Sequence, residues 1–167
     1  MIAGLRQPWV RDVTSVYCST EQKAIDGAAI LAKHLNLQVQ EVEDLGENDR
    51  SATGFLPPPE FEQVANDFFA RPTESVRGWE RAVDAQNRIV SAVAAIAATD
   101  STRGSIAIVS HGAVGTLLYC WLTQSPISRQ WDQPPNGGGN FYAFEFQPPS
   151  AHSHWQVFDL YTSASDA

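Results

Sequence analysis

A short apolar run that ends on a histidine constrains the fold of this chain more than any other feature. Residues 105–109 are Ser-Ile-Ala-Ile-Val, His111 and Gly112 follow shortly after, and a helical pattern covers Val114–Leu122. A short apolar run bounded by turn residues is typical of a strand buried in a parallel sheet. In open α/β sheets ligands bind beyond the carboxyl ends of the strands, where a helix N-terminus presents free N–H groups to an anion. We therefore expect His111 to lie at a ligand-binding edge.

Strand-like and helix-like segments alternate along the rest of the chain. The predicted strands are Thr14–Ser19, a short strand marked by Val39 and Val42, the run up to His111, Phe141–Gln147 and Trp155–Thr162. The predicted helices are Glu21–Leu35, a helix that opens at Pro59, a long helix over Ser75–Ala98, and Val114–Leu122. This alternation predicts a three-layer α/β/α sandwich with a mostly parallel sheet and an antiparallel C-terminal edge. We expect residues 1–167 to form a single domain.

Composition and charge narrow the classes of partner. The formal net charge is −8, whereas nucleic acids and anionic membrane surfaces attract clustered Lys and Arg. Cys18 and Cys120 lie in apolar segments and are predicted to be buried free thiols, as in a reducing compartment. Met1–Arg11 lacks the apolar core of a secretory signal, and no apolar stretch is long enough to cross a bilayer. We expect a cytoplasmic protein with no nucleic-acid partner and no membrane partner.

The chain has four histidines, and three of them are weaker candidates for chemistry than His111. His34 lies near the predicted end of a helix, where an imidazolium interacts favourably with the helix dipole, so we expect a structural role. His152 and His154 alternate before a strand as two metal ligands would, but no third ligand accompanies them. We expect no metal and no cofactor.

Two further segments place charged side chains near the same predicted edge. Lys23 lies in the first turn of the helix that follows the first predicted strand, so Lys23 and His111 can converge on one anion. The long loop Glu43–Pro59 carries Glu47, a candidate general acid if it is partly buried. The alternative for this loop is a solvated run of charges, and spacing alone favours that alternative.

Three ordered segments, with a looser fourth, match the motifs of one known family. Cys18–Ala28 matches Ser-Ser-x-x-x-Arg-Ala-x-x-Thr-Ala, and Leu45-Gly46-Glu47 matches Leu-x-Glu. Val109-Ser110-His111-Gly112 matches Val-Ser-His-Gly. Gly78-Trp79-Glu80 with Arg88 matches a Gly-Glu-Ser region more loosely. On these matches, which span nearly the whole chain, the sequence resembles the histidine phosphatase superfamily. The resemblance implies a phosphoglycerate-mutase-like fold.

The resemblance also implies a role for each matched residue. In such enzymes a histidine of an Arg-His-Gly motif attacks phosphorus, and cationic groups neutralise the phosphoryl oxygens in flight. When these roles are carried over to the matching residues, His111 is the phosphate-binding histidine and Glu47 is the acid that protonates the leaving oxygen. Lys23 then replaces a phosphate-binding arginine. Arg50 and Asn48 are candidate substrate contacts. The implied ligand is a small phosphorylated molecule or a phosphoprotein.

The sequence departs from the family pattern in two ways. Lys23 offers a point charge where the family has a forked guanidinium, so bidentate phosphate binding is lost there. In addition, no histidine lies among the residues before Thr14, so the nucleophile and its strand have no counterpart. We therefore expect a domain whose first strand is absent. We expect its function to be that of a phosphatase-type hydrolase of a phosphomonoester or phosphohistidine, inactive as this polypeptide. We also expect homo-oligomers that form through exposed sheet edges.

Two alternatives stay open beside that expectation. One is a catalytically dead module of the same fold that binds phosphate or a protein partner. The other is a nucleotide-binding α/β protein, which rests on Gly112-x-x-Gly115 and Gly137–Gly139 but lacks the phosphate-binding glycine signatures of such proteins.

Overall fold

The computed structural model describes residues 3–159 and has a central parallel sheet with helices against both faces. The strands of this sheet are β1 (Val13–Cys18), β2 (Val39–Glu41) and β3 (Ser105–Val109). The α-helices are α1 (Gln22–Leu35), α2 (Pro58–Ala70), α3 (Ala82–Thr99) and α4 (Gly112–Leu122). The predicted α/β fold is therefore confirmed, and each of these elements except the start of α3 lies close to its predicted position.

The three strands are hydrogen-bonded in the order β2-β1-β3, and both pairings are parallel. In this register Val16 of β1 lies opposite Val39 on one side and Ala107 on the other. The carboxyl ends of β1 and β3 consequently finish side by side, and the backbone N–H of Ser19 donates to Val109 O at 3.1 Å. This alignment places the residues that follow β1 next to those that follow β3.

Two apolar clusters hold the sheet between its helices. The cluster on one face is built from α1 and the segment before β1, and includes Val10, Val16, Ala28, Leu31 and the packed side chains of Ala107 and Val109. The cluster on the other face is built from α2, α3 and α4, and includes Phe68, Ile89, Leu117 and the packed side chains of Ile106 and Ile108. Because β3 contributes apolar side chains to both clusters, it is covered on both faces, as strands of parallel sheets are.

The long helix predicted over Ser75–Ala98 starts later than expected. The backbone of Arg77 and Gly78 has φ values of 52° and 83°, which lie in the left-handed region and interrupt any right-handed helix. A single 3₁₀ turn covers Val76–Gly78, and α3 begins only at Ala82. The alanine-rich pattern identified the helix correctly but gave no signal for this break.

The C-terminal part of the described chain is antiparallel, as predicted, but it is divided into short pairs. β4 (Asn140–Phe141) pairs with β7 (Gln156–Val157), and β5 (Phe144–Glu145) pairs with β6 (Ser150–Ala151). The long strands predicted there, Phe141–Gln147 and Trp155–Thr162, are therefore wrong in extent, and residues 160–162 lie outside the described part. The prolines after Gln147 lack the N–H that a longer ladder needs.

The prediction for the two cysteines also has an outcome in the fold. Cys18 and Cys120 are buried free thiols, as predicted. No helix among residues 3–159 is both long enough and apolar enough to span a membrane. The described central sheet contains three strands, and the absence of a further strand stays a prediction.

Candidate functional site

His111 lies where β3 ends and α4 begins, and its ring is enclosed. It is the N-cap residue of α4, and its side chain is only 1% exposed. Its Nε2 atom lies 2.6 Å from Ser19 Oγ and 3.1 Å from Glu21 Oε1. Because a carboxylate only accepts hydrogen bonds, this contact is satisfied when the ring proton is on Nε2. The buried Nδ1 atom has no hydrogen-bond partner.

Burial controls the charge of this imidazole. Desolvation is the main cause that holds the pKa of His111 below its ordinary value, because removal from water penalises the charged ring. The positive charges of Lys23 and Arg50 lower this pKa further, whereas the carboxylates of Glu21 and Glu47 raise it. The ring is therefore neutral near pH 7, and a bound anion would favour its protonation.

The N-terminus of α4 is occupied by the carboxylate of Glu47. Oε1 of Glu47 accepts the backbone N–H of Val114 at 3.1 Å, and Oε2 accepts that of Ala113 at 3.3 Å. Arg50 forms an ion pair with the same carboxylate at 3.0 Å. Glu47 thus fills the position in which a free helix N-terminus binds an anion.

Glu21 connects Glu47 to His111. The Oε1 atom of Glu21 that faces His111 Nε2 also accepts the backbone N–H of Glu47 at 2.8 Å. The side chain of Glu21 is 44% exposed, so it can swing away from His111 without leaving a buried charge. The predicted site did not include Glu21 or Ser19. The signal that could have found them is their position directly after β1, at the same edge as His111.

Arg88 on α3 fixes the backbone that carries Glu47. Its guanidinium donates to the carbonyl oxygens of Asp44, Gly46 and Glu47 at distances of 2.9 to 3.2 Å. The same guanidinium makes a two-pronged contact with the Glu80 carboxylate at 3.1 and 2.9 Å. The motif that matched Glu80 and Arg88 loosely in the sequence is therefore a clamp on the loop that carries Glu47.

Arg50 and Asn48 are both tied into the same loop. Arg50 Nε donates to Asn48 Oδ1 at 2.9 Å, and its guanidinium lies about 5 Å from the ring centres of Phe61 and Trp79. Asn48 is buried, and its Nδ2 has no hydrogen-bond partner. An unpaired buried donor at this position is free to bind an acceptor oxygen. Their assignment as substrate contacts stays a prediction.

Lys23 lies in the first turn of α1, with an exposed side chain. No hydrogen bond or ion pair links Lys23 to another side chain within residues 3–159. Its charge nevertheless acts on the His111 ring, so it lies at the same edge. A cation without a carboxylate partner is available to an incoming anion.

The other histidines lie in different surroundings. His34 is in the last turn of α1 and exposed. His152 lies 3.7 Å from Glu145, and the ring of His154 packs against Tyr119 and Trp131. No group of three metal-ligating side chains comes together within the described residues. Of the candidate residues, the structure brings together His111, Glu47, Arg50 and Asn48, with Lys23 beside them.

Comparison with known proteins identifies the family of the chain. The family model of the histidine phosphatase superfamily (branch 1) matches residues 5–154. The chain therefore belongs to the histidine phosphatase superfamily, as its motifs indicated. No curated protein matches the chain significantly in sequence.

Solved structures with the same fold include several mycobacterial proteins. A structure described as mycobacterial hydrolase 1 has a TM-score of 0.68 and 17% identity, and the match covers 93% of this chain and 76% of that one. Mycobacterial glucosyl-3-phosphoglycerate phosphatase, solved with inorganic phosphate, has a TM-score of 0.63 and 18% identity. That match covers 93% of this chain and 80% of the other. Mycobacterial hydrolase 2 has a TM-score of 0.58 and 20% identity over 77% of this chain. The chain spans 60% of the length of that last protein. At these identities the similarity shows the fold alone.

Proposed function

We propose that this chain binds the phosphoryl group of a phosphomonoester or phosphohistidine at the His111 edge, and that it does not hydrolyse the bound group as this polypeptide. Membership of the histidine phosphatase superfamily supports a phosphatase-type function in general. The observation that carries the more specific proposal is the position of His111, an enclosed imidazole at the N-terminus of α4. An imidazole and the N–H groups of a helix N-terminus together suit a phosphate.

Binding requires the phosphoryl group to replace two internal carboxylates. Glu21 faces His111 Nε2, and Glu47 accepts the N–H groups of Ala113 and Val114. A phosphoryl group has three oxygens that can take over these donors, with Lys23 and Arg50 supplying positive charge. The released carboxylates turn to solvent or, for Glu47, toward the leaving oxygen that the resemblance assigns to it. The resident carboxylates compete with the ligand, so we expect weak binding of inorganic phosphate.

The proposed lack of turnover follows from which nucleophilic side chains lie near His111. Covalent phosphoryl transfer in this superfamily needs an imidazole that attacks phosphorus, besides the histidine that binds it. Within residues 3–159, none of the other histidines contacts His111, Ser19 or Glu47. Ser19 Oγ is within hydrogen-bond distance of His111 Nε2, but a hydroxyl does not supply the attacking imidazole that this transfer needs. Among residues 3–159, a phosphate-binding histidine and an acid are then present without a second histidine that could attack phosphorus.

The proposal is tested by measuring binding and turnover on the same samples. Inorganic phosphate is titrated calorimetrically, and hydrolysis of an aryl phosphate is followed from about pH 5 to 8, where histidine changes charge. His111→Asn is compared with the wild type, and His34→Asn, an exposed histidine on α1, is the matched control. Phosphate binding that is lost only in His111→Asn, without turnover in any sample, is the expected result. Turnover that His111→Asn abolishes would overturn the proposed inactivity, and absence of phosphate binding by the folded wild type would overturn the site.

A further inference from the structure

Asn48 carries a buried donor that no acceptor satisfies among the residues the structure describes. The residue is 3% exposed, and its Nδ2 atom has no hydrogen-bond partner there. Arg50 Nε donates to the other end of the same amide at 2.9 Å. Because a guanidinium only donates, this contact fixes which amide atom is the oxygen, and the unsatisfied atom is the NH₂ group. A buried donor without an acceptor is destabilising, so its presence needs a reason.

The carboxylate of Glu47 lies next to this donor. Glu47 Oε2 contacts Nη2 of Arg50 at 3.0 Å, and the Nε atom that binds Asn48 lies on the same guanidinium. The two side chains therefore meet on one rigid fork of donors. The backbone N–H of Asn48 also donates to Glu47 Oε1 at 3.2 Å. A short side-chain rotation of Glu47 is therefore enough to carry an oxygen toward Nδ2.

The backbone on both sides of Asn48 is held in place. Arg88 Nη2 donates to the carbonyl oxygen of Glu47 at 3.2 Å. Asp49 is bound to Glu80 twice, through its N–H at 3.1 Å and through its carbonyl oxygen at 2.9 Å. Displacement of the Glu47 carboxylate is therefore a movement of the side chain alone, and Nδ2 keeps its place as the carboxylate approaches.

We propose that Asn48 is a positioning residue whose Nδ2 receives one oxygen of the Glu47 carboxylate when an anion takes the N-terminus of α4. This inference rests on the proposed phosphate binding, which displaces Glu47 from the N–H groups of Ala113 and Val114. The Glu47 side chain is only 14% exposed, so its charge needs a new donor in place of the two it loses. Asn48 supplies that donor, and Arg50 stays beside the carboxylate. The ligand-bound state then satisfies the NH₂ group that the ligand-free state leaves unpaired.

The movement also sets the direction of the Glu47 carboxylate. With one oxygen on Nδ2 of Asn48, the other is left for the leaving oxygen that the resemblance assigns to Glu47. The carboxylate charge also leaves the place that the anion takes, so the two like charges separate. Direct contact between Asn48 and the ligand is the alternative. The two cases differ in whether a change at Asn48 needs the carboxylate of Glu47.

The side-chain amide signals of asparagine report this transfer. In a nitrogen-15 NMR titration of the full chain with inorganic phosphate, the Nδ2 signals of Asn48 should shift in step with the amides of Ala113 and Val114. Asn66 is the matched control, because its Oδ1 also accepts an arginine guanidinium, that of Arg129, but on the exposed surface of α2. The Asn66 side-chain signals should stay unchanged.

Glu47→Ala separates transfer of the carboxylate from direct contact with the ligand. This variant lacks the competing carboxylate, so it should bind phosphate at least as tightly as the wild type, but the Asn48 Nδ2 signals should lose most of their shift. In addition, Asn48→Ala should bind phosphate about tenfold more weakly, which is the loss of one hydrogen bond to a charged group. Asn66→Ala should bind as the wild type does. The shifts in the wild type and in Glu47→Ala test the inference even if Asn48→Ala does not fold.

The same titration distinguishes failure of this inference from failure of the proposed phosphate site. Shifts at Ala113 and Val114 without a shift of the Asn48 Nδ2 signals overturn the inference and leave the phosphate site intact. Asn48 signals that shift equally in the wild type and in Glu47→Ala also overturn it, because Asn48 then contacts the ligand itself. No shift at Ala113 or Val114 overturns the proposed phosphate site, and the inference with it.

Discussion

The carboxylate of Glu21 lies 3.1 Å from Nε2 of the buried His111 ring. The same carboxylate oxygen accepts the backbone N–H of Glu47, whose own side chain covers the N-terminus of α4. Residues from three separate segments are therefore joined around one imidazole. A site proposed to bind phosphate is filled, in this structure, by the carboxylates of the chain itself.

Removal of the Glu21 charge should strengthen anion binding. In Glu21→Gln the ligand no longer meets a negative charge beside His111, and we expect phosphate to bind about fivefold more tightly, equivalent to about 1 kcal/mol. Calorimetric titration with inorganic phosphate measures this change. Glu43→Gln removes a charge from an exposed residue of the neighbouring loop and should leave the affinity within error. Weaker binding in Glu21→Gln would show that this carboxylate does not compete with the ligand.

The buried His111 should make the protein less stable as the pH falls. Its folded pKa is lowered by burial, so below the unfolded value of about 6.5 the unfolded chain binds protons that the folded chain does not. The stability linked to His111 is therefore full above about pH 6.5 and is lost progressively below it. Urea unfolding of the wild type and of His111→Asn as a function of pH measures this difference. Parallel pH profiles for the two proteins would contradict the lowered pKa.

The clamp formed by Arg88 should be important for the order of the loop that carries Glu47. Truncation in Arg88→Ala removes the guanidinium that donates to three carbonyl oxygens and to the Glu80 carboxylate. We expect the free energy of unfolding to fall by about 2–4 kcal/mol. Amide hydrogen exchange of residues 43–50 should accelerate together with this loss. The control is Arg81→Ala, which removes a guanidinium bound to Asp84 on an exposed surface. If Arg88→Ala and Arg81→Ala lower the free energy of unfolding equally, the clamp has no special role.

Asp100 should contribute an acid-dependent part of the stability. Its pKa is lowered to about 2, chiefly by hydrogen bonds from Thr102, with a further bond from the Tyr17 hydroxyl. Because the folded pKa is below the unfolded value of about 3.9, this contribution is present above that pH and is lost as the pH falls toward 2. In Asp100→Asn the free energy of unfolding should depend less on pH between about pH 4 and 2. The variant is compared with Asp26→Asn, an exposed aspartate on α1, which should not change the profile.

The sequence predicts the scaffold of the site better than its contacts. The apolar run of β3 and the helical pattern after Gly112 place His111 correctly, because strand end and helix start are local properties. The contact between Glu21 and His111 joins residues that are ninety positions apart, and it depends on the β1–β3 register, which no local pattern encodes. The break before α3 was missed for a similar reason. It depends on a left-handed backbone at Arg77, and arginine carries no propensity for that conformation.

Backbone amide signals test the central claim most directly, because the account places the phosphoryl group on the N–H groups that Glu47 now occupies. In a nitrogen-15 NMR titration with inorganic phosphate, the amides of Ala113 and Val114 should show the largest saturable shifts, and His111→Asn should abolish them. Saturable binding with unchanged Ala113 and Val114 amides, or no binding at all, would contradict the account.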